Sequence, residues 1–177
     1  VADLSGWVGD EYHIKLRGII EEGHIFGNKL RLEREISSVQ GQNSLRIRDI
    51  VTNIGYKTSP YTILYHMNMG FPLLSEDAEL IIDPVSSVPA TPFAPEGINE
   101  FNRFPKPLAN CHEQVYYHTM KANSKNETKV SLQNKMLGIS LTIKYNTDQL
   151  PYLTEWKMMG MGEYVPGLEP GNIHAKN

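Results

Sequence analysis

The sequence predicts an all-β fold, a β-sandwich or barrel of antiparallel sheets, on three observations: period-two alternation dominates, turn residues recur at fairly regular spacing, and no segment carries a long helical stripe. The cleanest strand is 137–145, where Leu137, Ile139, Leu141, Ile143 and Tyr145 form one face and Gly138, Ser140, Thr142 and Lys144 the other. Just before it, Val130, Leu132 and Asn134 alternate with Lys129, Ser131 and Gln133. From the N-terminus, 12–21, 29–39 and 44–53 read as strands. In the last of these Leu45 and Ile47 alternate but Ile50 and Val51 break the phase, which predicts a bulge near Asp49. Further strands are expected at 61–69, 79–83, 114–120 and 152–158. Gly27-Asn28, Gly41-Gln42-Asn43, 53–55, Ser59-Pro60 and 123–126 supply the turns between them. The stretch 83–107 holds most of the prolines and reads as a long irregular excursion with a short helix over 96–104. Loops of that length in a compact domain are usually functional or mobile.

A chain of 177 residues suits one domain, 1–177, that buries a core without disulfide or metal staples. The formal net charge of −3, from 17 basic and 20 acidic residues without a long block of either sign, argues against a nucleic-acid groove. The apolar runs are too short to span a bilayer. Cys111 is the single cysteine, so an internal disulfide is excluded and a reducing, cytoplasmic setting is expected. A lone thiol is more often a small buried hydrophobe than a nucleophile, even beside His112.

Two stretches carry chemistry. In 64–74, LYHMNMGFPLL, an extended chain places Thr62, Leu64, His66 and Asn68 on one face and Tyr61, Ile63, Tyr65, Met67 and Met69 on the other. A histidine and an asparagine two apart on a sheet face can converge on a ligand. Pattern alone favours the blander reading, a histidine satisfied by a neighbouring strand. In 162–172, GEYVPGLEPGN, Pro170 keeps Glu169 extended, and Pro170-Gly171 is expected to turn the chain. A carboxylate held at a strand end suits a general base; pattern alone favours a solvated acid beside a turn. No metal is expected: His112, Glu113 and His118 lack the helical zinc spacing, and no cluster reaches three ligands. The methionines Met158, Met159 and Met161 read as packing rather than a soft-metal tract.

In order along the chain stand Asp49-Ile-Val-Thr-Asn53-Ile-Gly55, then Tyr65-His66-Met-Asn68-Met-Gly70, then Leu150-Pro151 with Trp156-Lys157, then Leu168-Glu169-Pro170. This ordered set resembles the galactose mutarotase (aldose 1-epimerase) superfamily, and within it a bacterial aldose-epimerase-like branch of unassigned substrate. The resemblance implies a galactose mutarotase-like supersandwich, incomplete here at both ends and corresponding to the C-terminal part of a longer member. It implies a sugar bound on a concave sheet face, with His66 as general acid and Glu169 as general base. Asn68, His118 and Trp156 would contact sugar hydroxyls or stack on a sugar face. Glu169 would take the proton of the anomeric hydroxyl while His66 protonates the ring oxygen; the ring opens, rotates and recloses with the roles reversed. On this reading the two side chains face one cleft with room for a sugar ring between them. No cofactor is expected. The expected partners are a small-molecule sugar and, covering exposed sheet edges, a second copy of the chain; nucleic acid and membrane are not expected. The rival reading is a non-catalytic carbohydrate-binding or regulatory module on the same fold.

Overall fold

The computed structural model describes residues 1–94 and 101–174. Every strand ladder in it is antiparallel, and the described residues hold no helix. The all-β class read from alternation is therefore the fold of the chain. The chain divides into two compact units, Val1–Tyr61 and Thr62–Asn177.

The first unit is a single sheet of β1 (Ala2–Asp3), β2 (Gly6–Val8), β3 (Glu11–Gly23), β4 (Lys29–Val39) and β5 (Arg46–Asn53), in the order β1-β3-β4-β5 with β2 also paired to β3. Its register sorts the side chains cleanly. Ile14, Leu16 and Ile20 share a face with Leu32, Ile36, Ile47 and Val51, while the opposite face carries the ion pairs Arg17–Glu33 and Arg31–Glu21. The bulge expected near Asp49 is absent, since β4 and β5 keep one register from Leu30↔Asn53 to Ser37↔Arg46. The phase breaks for a different reason. Ile50 stands exposed on the charged face, and Asp49 lies on the apolar one, held by a two-pronged pair of hydrogen bonds from Arg34 at 2.8 and 2.6 Å.

The second unit is the expected sandwich. One sheet has the order β11-β10-β7, from β6 (Met67–Asn68) onward counting β7 (Ala78–Ile81), β8 (Pro84–Pro89), β9 (Gln114–Met120), β10 (Glu127–Asn134) and β11 (Ile139–Asn146). The other, β6-β13-β12-β9-β8, is completed by β12 (Tyr152–Gly160) and β13 (Glu163–Gly171). Leu80, Val130, Leu132 and Ile143 from the first sheet join Tyr116, Met120, Leu153, Met159 and Leu168 from the second in one buried cluster. Phe101 and Phe104 close it from the excursion. The Lys157 ammonium, buried among them, donates to the carbonyls of Phe101 (3.2 Å) and Arg103 (2.7 Å) and lies 4.8 Å over the Phe104 ring. A charge in the core thus ties down the backbone of an irregular segment.

The excursion is more regular than its prolines indicate, because 84–89 forms β8 on the edge of the sheet, where a missing N–H can face outward. Of the expected helix at 96–104, residues 96–100 lie outside the described residues, and 101–104 form a turn and an isolated bridge. Pro170 and Gly171 continue β13 rather than turning the chain.

A carboxylate and an imidazole on one sheet face

Cross-strand partners in an antiparallel ladder project to the same side of the sheet. Two such rows define the face of the five-stranded sheet that points away from the core. One runs Val88, Tyr117, Thr154, Glu169; the next runs Val115, Trp156, Gly167, Asn68. Leu64↔Gly171 and Asn68↔Gly167 keep a common register, which sets His66 directly opposite Glu169 although the chain there is not a regular strand. Of the residues singled out in the sequence, His66, Asn68, Trp156 and Glu169 therefore share one face.

The pair is closer than expected. His66 Nε2 lies 2.8 Å from Glu169 Oε1, so the two touch and no sugar ring fits between them in this arrangement. The contact is poorly directed, and Glu169 Oε1 is buried without a hydrogen-bond partner. The carboxylate is 2 % exposed and the imidazole 47 %. Burial pushes the Glu169 carboxyl above its ordinary value, and the charge of His66 opposes that rise. The Trp156 indole meets the His66 ring edge-on at 5.9 Å, and its Nε1 donates to Glu113 Oε2 at 2.9 Å.

His118 does not join this face. It falls opposite Leu153 on the core side, fully buried, with Nδ1 2.7 Å from Ser87 Oγ and Nε2 3.0 Å from Glu155 Oε2. Its position in the alternation, one residue out of step with Tyr117, decides this and turns it away from the face where the expected sugar contact would be made. The described residues contain no group of three or more His, Cys, Asp or Glu placed to hold a metal ion.

Three further residues shape the site. Gly167 is its floor: a Cβ there would stand 2.7 Å from Glu169 Oε1, 2.8 Å from His66 Cε1 and 3.3 Å from Asn68 Oδ1, so only glycine leaves room for these groups to converge. Thr154, opposite Glu169, is buried with its hydroxyl unpartnered. Asn172 fastens the segment that carries His66, accepting from Ile63 N–H (2.8 Å) on its side chain and donating its own N–H to the Ile63 carbonyl (3.0 Å). The glycine and the asparagine belong to the PGLEPGN stretch that drew attention to Glu169. Nothing in the sequence marks Thr154, whose importance depends on pairing across strands.

The model of a family described as "Domain of unknown function (DUF4432)" matches residues 2–177, and the chain belongs to that family. Its fold is similar to the crystal structure of a "putative aldose 1-epimerase" from Klebsiella pneumoniae subsp. pneumoniae MGH 78578, with a TM-score of 0.88 and 30% identity over 92% of this chain. The likeness agrees with the galactose mutarotase resemblance carried by the ordered motifs. The chain spans 43% of the length of that protein. No curated protein matches it.

Proposed function

We propose that this chain carries the acid/base pair of an aldose 1-epimerase-like isomerase, which interconverts the anomers of a sugar by opening and reclosing its ring. The observation that supports this best is the register that sets a buried Glu169, its carboxyl pushed above the ordinary value, against a half-exposed His66 over a glycine floor. A base works best when its pKa approaches the working pH, and burial moves Glu169 in that direction. The sugar would lift His66 off Glu169, the more exposed partner moving. Glu169 would then accept the proton of the anomeric hydroxyl as His66 donates one to the ring oxygen, breaking the bond between C1 and that oxygen. Rotation about C1–C2 and closure on the other face return both protons. Thr154 Oγ1 and Asn68 would serve sugar hydroxyls, and Trp156 would lie against the ring; their place on the same sheet face supports this.

One observation favours a non-catalytic carbohydrate-binding module instead: the 2.8 Å contact occupies the space the reaction needs. Anomer interconversion across a set of aldoses, followed by NMR exchange or polarimetry, decides between them. The isomerase reading expects catalysis by the parent chain and its loss in Glu169→Gln with folding intact. Sugar binding without interconversion by the parent would establish the module. A cytoplasmic setting, a single functional domain over 1–177 and pairing with a second copy belong to the same proposal. Among the described residues no helix is long and apolar enough to cross a membrane.

A further inference from the structure

We infer that the groove beyond Trp156 is a subsite for a second sugar ring, so that the substrates are reducing disaccharides or longer saccharides rather than free monosaccharides. This rests on the sugar-handling reading of the His66–Glu169 face and names its substrate class. The groove has a volume of about 580 Å³ and is lined by Thr91, Phe93, His112, Glu113, Val115 and Tyr117 together with Ala90 and Pro92.

Three observations join it to the pair. First, Val115 and Tyr117 stand in the same cross-strand rows as Trp156 and Thr154, so the groove lies on the face that carries Glu169. Second, one side chain borders both places: the Trp156 indole touches His66 at 5.9 Å and donates to Glu113 Oε2 at 2.9 Å. Third, the distance is right. From β6, which carries Asn68, to β9, which carries Val115, is three steps across the sheet. At roughly 4.8 Å per step the span is about 14 Å, longer than one pyranose and suited to two linked rings.

The lining fits a sugar ring better than other ligands. Phe93 and His112 stack at 4.1 Å with 13° between their planes, and Phe93 is 53 % exposed, which presents a flat aromatic platform to the C–H face of a pyranose. The Glu113 carboxylate at the inner end accepts hydrogen bonds of the kind that hydroxyls donate. Among the described residues no lysine or arginine lines the groove, and Glu113 would repel a phosphate or another anion. Aromatic walls with a few placed polar groups are the usual make-up of a small-molecule site.

The test uses the intact chain and four probes: glucose and galactose against maltose and lactose, with affinities from NMR titration. The subsite expects the disaccharides to bind more tightly, and the disaccharide-to-monosaccharide affinity ratio to fall about fivefold in Phe93→Ala, the scale of one lost aromatic contact. Both Phe93 and His112 are exposed, and His112→Ala provides an independent second variant with the same expected fall. Equal affinities for the two classes in the parent chain, or a ratio unmoved by both variants, would overturn the subsite. Anomer interconversion measured in the same samples keeps the two ideas apart. Disaccharide preference without interconversion removes the isomerase and leaves the subsite, whereas interconversion of monosaccharides without that preference does the reverse. No binding of any of the four sugars would overturn both.

Discussion

Glu169 holds its proton more tightly folded than unfolded, because its carboxyl is buried and the compensating imidazole stands half in water. The consequence for folding has a definite sign. A carboxyl whose pKa is raised in the folded state contributes stability that is fully present below its ordinary value, here 4.5, and lost as the pH rises through the raised one. Glu169→Gln carries no charge at any pH. It is expected to melt near the parent chain at pH 4 and above it at pH 8, in thermal scans at the two pH values. A melting difference that is the same at both would contradict the burial argument. The gain in stability and the loss of catalysis expected of this one substitution run in opposite directions, as is usual where a site is held under electrostatic strain. The rate itself should follow the same ionisation, rising with pH as Glu169 loses its proton, along a limb displaced upward from the usual carboxylate range. His66 and Glu169 stood out only through their ordered company with Asn53, Asn68 and Trp156, because alternation says which face a histidine takes but not what stands opposite. His118 shows the same limit from the other side: its chemistry drew attention, and the parity of its strand buried it.

The element that carries His66 is a strand left incomplete. Tyr65 N–H donates to the Pro170 carbonyl (2.9 Å) and Met69 N–H to the Pro166 carbonyl (3.1 Å), so these two positions of β13 face the 63–69 segment. Each would return a bond to it in a regular antiparallel ladder, but proline has no N–H to give. Regular pairing therefore shrinks to Met67–Asn68, and the side-chain bond from Asn172 at the far end takes up the deficit. Asn172→Ala is expected to speed amide exchange over 63–69 by about two- to tenfold, the factor that corresponds to one net hydrogen bond of ~0.5–1.5 kcal/mol. Native-state hydrogen exchange checks this, and an unchanged protection pattern would mean that the segment is fastened elsewhere. Strands were legible where apolar and polar residues alternate along them. Lys29–Val39 and Gln114–Met120 match their alternating runs to the residue. The prolines and glycines of β8 and β13 hid two strands, the second of which bears the carboxylate.

At the scale of the whole molecule, the two units differ in how completely they bury what alternation marks as apolar. Leu74, Val130, Leu132, Leu153 and Leu168 in the second unit have no exposed surface. On the sheet of the first, Ile14, Leu16 and Ile20 are 41 %, 40 % and 66 % exposed. Periodicity identifies which face of a strand is apolar and is silent on what covers it, so the class of fold was legible and the finish of this sheet was not. An apolar face of that kind, on a sheet with open edges, favours association. The isolated chain is expected to sediment with a mass that rises with concentration, and a strictly monomeric profile up to the solubility limit would refute this. Trp156 has a use that follows from its position alone. The chain has two tryptophans, and the other, Trp7, is 70 % exposed, so their emission bands differ in colour. An indole packed against an imidazole changes its fluorescence yield as that imidazole gains a proton or moves away, and Trp156 packs against His66. The protein thus contains an unlabelled optical probe beside His66, and on the proposed sugar-handling reading the arrival of a sugar would be timed by light.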